Sequence, residues 1–344
     1  MRTRFPFLAL LEATAAFAVL WIGYAGALRA DEPLRWKFEV GEKLNYNMVQ
    51  DMNVAVGEQV IAKMHQEMEM IWDVEGVDTA TGEAVINQKF DRIKLKLTSP
   101  RGNIDYDSKD DKVATGLEAQ IAPLYKAISQ GDFELTVTSR GEIKDAKIPK
   151  DVLAALKSLA DSTAGASAQK ETKKEGTAED LSNSPFGDYA TESGFKKMIS
   201  KSVFVLPKDA PKQGEASKTS VQLTNNDGDK QVVESSYTYE GTKDVDGVTL
   251  AVFKPQLTLS FADGGGAGKS TIEQQSSDGE ALFDIAKGRL RSMKLEQHVT
   301  INSTSAGQPA QEKLDQTIDV QVSPRTEKDG ETKSAAATEP ASKK

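Results

Sequence analysis

The chain of 344 residues has no cysteine and only two histidines, His65 and His298. The first absence removes disulfides, thiolate zinc sites, cysteine nucleophiles and iron–sulfur clusters together. It also excludes a lipid joined by thioether behind the N-terminus. The second leaves little for metal chemistry, since a site would need both imidazoles to converge with a carboxylate. Basic excess is missing too: 43 Lys and Arg stand against 52 Asp and Glu, a net charge of −9. Nucleic acid is therefore not an expected partner, because phosphate binding needs clustered cations. Without disulfides the fold must rest on an apolar core, and a chain of about 300 residues can bury one.

Long apolar runs are absent except at the N-terminus. Arg2 and Arg4 precede a stretch from Phe5 to Ala27 that is apolar apart from Glu12, and Ala25-Gly26-Ala27 supplies small residues at −3 and −1. Residues 1–27 are expected to be a signal peptide and the protein to be periplasmic or secreted. Cleavage after Ala30 is the other option. If the segment is kept, it is long enough to anchor the chain in a bilayer, and it is the only membrane contact expected.

Beyond it, two-residue alternation dominates. Leu34, Trp36, Phe38 and Val40 share one face of a first expected strand. Leu44, Tyr46, Met48, Met52, Val54 and Val56 continue the pattern, broken at Gln50. Ala62, Met64, Met68, Met70, Trp72 and Val74 make a third run. The next shifts phase between Phe90 and Ile93, which places a bulge near Asp91-Arg92. Helical spacing appears at Leu117, Ile121, Leu124 and Ile128, with Pro123 inside, and at Val152, Leu153, Leu156 and Leu159 behind Pro149. A short helix is expected around Phe195, Met198 and Ile199. Asp227-Gly228, Asp246-Gly247 and Lys287-Gly288 sit between alternating runs as hairpin turns.

The organisation expected is a first β-rich half over 31–161 with two helices and a second β-rich half over 189–325. Between them, 162–188 has the composition of a disordered linker or insertion, and 326–344 that of a floppy tail. The halves share an outline, strand, turn, Gly-x-Ile/Leu, strand, at 133–148 and 283–295. Duplication would explain it, and so would convergent hairpins.

Phe204-Val205-Leu206-Pro207 with Pro211-Lys212 and Gly214, then Tyr237-Thr238-Tyr239-Glu240-Gly241 and Asp246-Gly247-Val248, resembles a group of exported bacterial proteins of unknown function with an "LP…G" turn and a "YxYxG" hairpin. The tryptophan that often follows the first glycine is absent here. That group in turn is similar to curved antiparallel sheets with helices on one face, as in periplasmic lipoprotein carriers. The resemblance brings no catalytic residues.

Motifs with chemistry fall away one by one. Ala262 to Thr271, ADGGGAGKST, ends like a phosphate-binding loop but has Asp263 where the first glycine belongs and no helical stripe after it. Ser193-Gly194-Phe195-Lys196 matches S-x-x-K without companion motifs. Asp105, Asp107, Asp110 and Asp111 lack the glycine of a calcium loop. His65 and His298 lie on the polar phase of their strands.

What remains is a stripe of methionine and tryptophan. Met48, Met52, Met64, Met68, Met70 and Trp72 occupy one phase of two strands that should pair. Methionine is flexible and polarizable and adapts to varied apolar partners, so these six are the candidate ligand-binding residues. Packing beneath the helices is the plainer alternative. The fold expected is α+β: β-rich, one or more curved antiparallel sheets with a few helices on one face. The function expected is a non-catalytic binding or carrier-like protein for an apolar, lipid-like ligand or a protein partner, with no metal or cofactor; the alternative is a structural protein of the envelope.

Overall fold

The computed structural model describes residues 32–100, 102–167, 204–224, 230–262, 270–305 and 308–325, with Glu192, Phe195, Lys196 and Ile199. The expected signal peptide and tail, nearly all of the linker and the phosphate-loop-like stretch, and the turn at Asp227-Gly228 lie outside these. So do Ser193 and Met198.

Among the described residues the chain is mostly β, one antiparallel sheet of twelve strands with two helices, and Glu192, Phe195, Lys196 and Ile199 are helical where a short helix is expected. In order they are β1 (Lys43–Val56), β2 (Gln59–Val77), β3 (Ala84–Ser99), β4 (Gly102–Asp107), α1 (Glu118–Gln130), β5 (Asp132–Val137), β6 (Ile143–Lys147), α2 (Lys150–Ser167), β7 (Ala216–Thr224), β8 (Lys230–Val245), β9 (Val248–Ala262), β10 (Thr271–Asp284), β11 (Arg289–Ser305) and β12 (Gln308–Pro324). The spatial order is β6-β5-β3-β2-β1-β12-β11-β10-β9-β8-β7, with β4 beside β3. Sequence neighbours pair almost throughout, and the first strand pairs with the last. Both halves thus belong to one continuous sheet. α2 reaches Ser167, six residues into the stretch whose composition reads as linker.

Local chemistry explains the elements. In β1 to β3 buried residues alternate with half-buried or exposed ones, as a sheet with one covered face demands. The expected bulge is present: Glu69 faces Arg92 while Met70 faces Phe90, so Asp91 is the extra residue that turns the phase. β8 and β9 are joined by Asp246 at φ 54 and Gly247 at φ 76, the two left-handed positions of a type I′ hairpin. Pro123 sits in the first half of α1. Leu117, Ile121, Leu124 and Ile128 nonetheless face the sheet as their spacing predicts.

One expected strand is not a strand. Leu34 to Val40 pairs with no sheet edge, although Leu34, Trp36 and Phe38 are buried. The alternation has another cause: the extended segment crosses one end of the sheet. Trp36 N–H donates to Ser139 O in the β5–β6 turn (2.8 Å), and Lys37 Nζ donates to Ala286 O in the β10–β11 turn (2.9 Å). Its two faces meet the core and water as a strand's would. Val40, beyond the crossing, is 66% exposed.

The sheet must curl. Eleven strands spaced about 4.8 Å apart span roughly 48 Å when flat. Yet the peptide group between Val205 and Leu206 touches both ends of the order: its carbonyl accepts from Ser217 Oγ on β7 (2.7 Å), and its N–H donates to Arg140 O beside β5 (2.9 Å). Phe204, next to it, packs edge-on against Trp36, Tyr237, Phe253. The "LP…G" stretch is therefore the stitch that draws the two edge regions together, and the apolar face lies inside.

Gly141, in the β5–β6 turn at φ +90, sits where a Cβ would collide with Trp36 Nε1 and come within 2.6 Å of Phe204 O. Gly141→Ala is expected to cost about 2–4 kcal/mol of unfolding free energy from strain and overpacking. Gly57→Ala, at φ +60 with open space around it, should cost only about 1–2 kcal/mol. Urea unfolding of both variants checks the difference, and equal losses would contradict the stitched closure.

Candidate functional site

The six candidate residues come together as the alternation implies. Met48 faces Met68, Met52 faces Met64, and Trp72 faces Leu44 across the β1–β2 ladder. All six point inward and are buried, from Trp72 at 0% to Met68 at 7% exposure. Met48, Met68, Met70 and Trp72 belong to the larger apolar cluster and Met52 and Met64 to a second one. Trp72 Nε1 donates to Gln88 Oε1 at 2.9 Å, which settles its one polar atom.

Between the two clusters runs a row of side-chain amides. Gln66 on β2 faces Gln50 on β1. Gln50 faces Ile318 on β12, so Gln316 is its diagonal neighbour. Gln316 faces Gln297 on β11, and Gln297 faces Ser277 on β10. All four glutamines are buried, Gln50 at 0% and Gln297 at 3%. On the β2 side Gln66 is hydrogen-bonded to the Tyr125 phenol of α1, a group that burial pushes up to about 12. On the β10 side Gln297 Nε2 donates to Leu257 O at 3.2 Å. Among the described residues Gln50 Oε1 and Nε2 have no partner at all.

The row ends at a seam. β9 and β10 pair only from Leu250/Asp284 to Phe253/Ala281, although both strands run on. Pro255, two residues past the last pair, has no N–H to give. Gly279 presses so close to β11 that a Cβ there would strike the Lys294 carbonyl. Side chains bridge the opened ladder. Ser277 Oγ accepts from Leu257 N–H and donates to Leu257 O (3.2 and 3.0 Å). Gln275 does the same for Leu259, at 2.9 and 3.2 Å. Leu257, Leu259, Phe261 and Ile272 are half-buried along the seam.

The titratable groups lie elsewhere. His65 is on the outer face between Asp51 (2.8 Å) and Glu67 (3.2 Å), and its hydrogen bond to Asp51 raises it. His298 faces Asp315 at 2.6 Å, also outside. Three strand steps, about 14 Å, separate the two imidazoles. Among the described residues no three His, Asp or Glu side chains could hold a metal ion. Asp107 of the acidic loop accepts from Arg92 at 3.1 and 3.2 Å, and that guanidinium holds it below the usual carboxylate range.

One buried ion pair stands at the end crossed by Leu34–Val40. Arg289 Nη1 lies 3.4 Å from Glu42 Oε1, both side chains under 10% exposed. Desolvation pushes Glu42 up to about 8 against the pull of Arg289, and it also lowers Arg289. A guanidinium keeps its proton in proteins, so the carboxyl is the partner that gives up charge.

Sequence reasoning missed the amide row. Gln50 reads as a break in alternation, but it occupies the inward position between Met48 and Met52. Gln66, Gln297 and Gln316 do the same between apolar neighbours. The available signal was one polar residue at the apolar phase of four strands, each midway along its stripe.

Residues 81–248 match the model of DUF6263, a family of unknown function. No curated protein matches the chain. Among solved structures, an outer membrane channel from Pseudomonas putida F1 aligns at 7% identity and TM-score 0.22, over 87% of this chain and 100% of that one. DynF from the dynemicin biosynthesis pathway of Micromonospora chersina aligns at 7% and 0.18, over 91% and 96%. OpdQ of Pseudomonas aeruginosa aligns at 6% and 0.20, over 84% and 100%. Likenesses at this level carry nothing about role.

The Glu42 carboxyl sets a pH dependence. Its folded value is raised above the unfolded one, so the folded protein holds a proton that the unfolded chain has lost between about pH 4.5 and 8. Its stabilising contribution is full below that window and is lost as pH rises through it. Glu42→Gln should therefore gain Tm relative to the parent as pH moves from about 5 to about 8.5. Circular-dichroism melts at fixed ionic strength read this, and a variant-minus-parent Tm that falls or stays constant from about pH 5 to about 8.5 would refute it.

Proposed function

We propose that this is an exported, non-catalytic binding protein that takes a lipid-like, apolar-chain ligand against the inner face of its sheet through the β9–β10 seam. The observation that carries the reading is the interrupted ladder: beyond Phe253/Ala281 the strands part, and half-buried Leu257, Leu259, Phe261 and Ile272 line the inner side. Elsewhere along the path each strand is joined to its neighbours by backbone pairing, and the β6 and β7 ends are bridged by the Val205–Leu206 peptide and covered by Phe204 and Trp36, so this is where an apolar chain meets least resistance. The six methionine and tryptophan positions are the adaptable wall that such a chain would reach, as their polarizability allows.

Charge supports a water-facing exterior. Ion pairs cover the outer phase from Glu67–Lys94 to Lys218–Glu234 and Lys243–Glu280. A transmembrane barrel turns an apolar band outward, the reverse of this phase. No helix among the described residues is long and apolar enough to cross a membrane. The outward placing of both histidines supports binding rather than acid–base chemistry. The carrier-like curved sheet expected from the "LP…G" stretch fits the same reading.

A structural role in the envelope, without a ligand, is the second reading, favoured by the complete burial of the methionine stripe. One titration separates them. A fluorophore that brightens in apolar surroundings should bind the purified protein, and Leu259→Asp or Phe261→Asp should weaken it about tenfold or more, as loss of one large apolar contact implies. Val49→Asp, at an outer position 36% exposed, should leave it unchanged. No uptake by the parent, with no lipid in native mass spectra, would leave the structural reading.

A further inference from the structure

We infer that the glutamine row is a recognition site for a neutral amide group on the ligand, with Gln50 at its centre. The inference rests on the proposed binding of an apolar chain and adds the polar chemistry that selects it.

Gln50 is fully buried in the middle of the inner face, and neither of its amide atoms has a partner among the described residues. Leaving such buried groups unmade is costly, and methionine, present on either side at Met48 and Met52, would fill the same place without that cost. Buried side-chain polar atoms are otherwise partnered in the great majority of cases. The position is also connected. Gln316 lies diagonal to Gln50, and Gln297 and Ser277 follow it in register to the Leu257 carbonyl at the seam, so a polar path joins the proposed entrance to the unpartnered amide. Apolar clusters flank the row on both sides, which suits a chain with one polar group.

The chemistry of the row selects the group. A glutamine side chain offers one acceptor oxygen and two N–H donors, so its complement must both give and take. A carboxylate would leave Gln50 Oε1 facing oxygen. It would also enter without a counter-ion: Lys63, Lys294 and Lys313 on these strands fall on the outward phase, buried Arg289 is paired with Glu42 at the other end of β11, and buried Glu312 lies on the inner face. Burying an unpaired charge is far costlier than burying a dipole. An ester accepts only, and a hydroxyl, which can give and take, does both through one oxygen and cannot meet Oε1 and Nε2 in parallel. A carboxamide supplies N–H to Oε1 and C=O to Nε2.

The test uses the purified full chain with oleamide, oleyl alcohol and oleate competing against the apolar fluorophore. The parent should bind oleamide about tenfold more tightly than either other probe, roughly one net hydrogen bond's worth of discrimination. Gln50→Met should bring oleamide to within about twofold of oleyl alcohol while oleyl alcohol binding and Tm do not fall. Gln316→Met, in the same row with Gln50 intact, guards against a folding artefact at one position and should narrow the preference in the same direction. Equal binding of all three probes by the parent overturns the inference and leaves the proposed binding function standing. A preference that persists in Gln50→Met, or that favours oleate, overturns it as well. Failure of all three to compete overturns both readings together.

Discussion

One peptide group holds the architecture in its curled form. The Val205 carbonyl and the Leu206 N–H reach opposite edges of a twelve-stranded sheet, and without that bridge β6 and β7 would be two unpaired edges far apart. Unpaired edges invite association with other chains. Here the aromatic neighbours of the bridge, Phe204 with Trp36, Phe253 and Tyr237, place rings at the junction, and each such contact adds about 0.5–1.5 kcal/mol beyond burial. The segment that brings Trp36 there, Leu34 to Phe38, spans the same end, so two non-sheet pieces of chain do what a closing hydrogen-bond ladder does in a barrel.

Curling sorts the residues. Period-two alternation turns into inside and outside, with ion pairs left in water, where each contributes about 0–1 kcal/mol. The inner face is not uniformly apolar. It is divided by the glutamine row and opened at the seam where Pro255 and Gly279 disturb β9 and β10. These departures from the simplest stable interior cost free energy, and costs of that kind concentrate where a protein meets a ligand.

Much of this was legible from residue pattern. The alternation, the phase shift at Asp91, the Asp246-Gly247 turn and both helices with their sheet-facing residues follow from local rules. So does the pairing of the methionine strands, because a short turn at Gly57 leaves β1 and β2 little choice of partner. What was not legible is long-range. Leu34 to Phe38 alternates for want of a strand's partner, since burial against a core on one side and water on the other writes the same pattern. That four glutamines from β1, β2, β11 and β12 line up depends on register between strands distant in sequence. The meeting of β1 with β12 leaves no local trace.

That last pairing has a kinetic consequence. Every other ladder along the path joins consecutive strands at a small loop-closure cost, except β3–β5, which closes over β4 and α1. The β1–β12 ladder joins segments separated by nearly the whole described chain, and contacts of such separation slow folding most. The central ladder of the finished sheet is therefore the natural last step of its assembly, with two hairpin arrays formed beforehand and zipped together along a line that lies beside the Met48–Gln50–Met52 stripe.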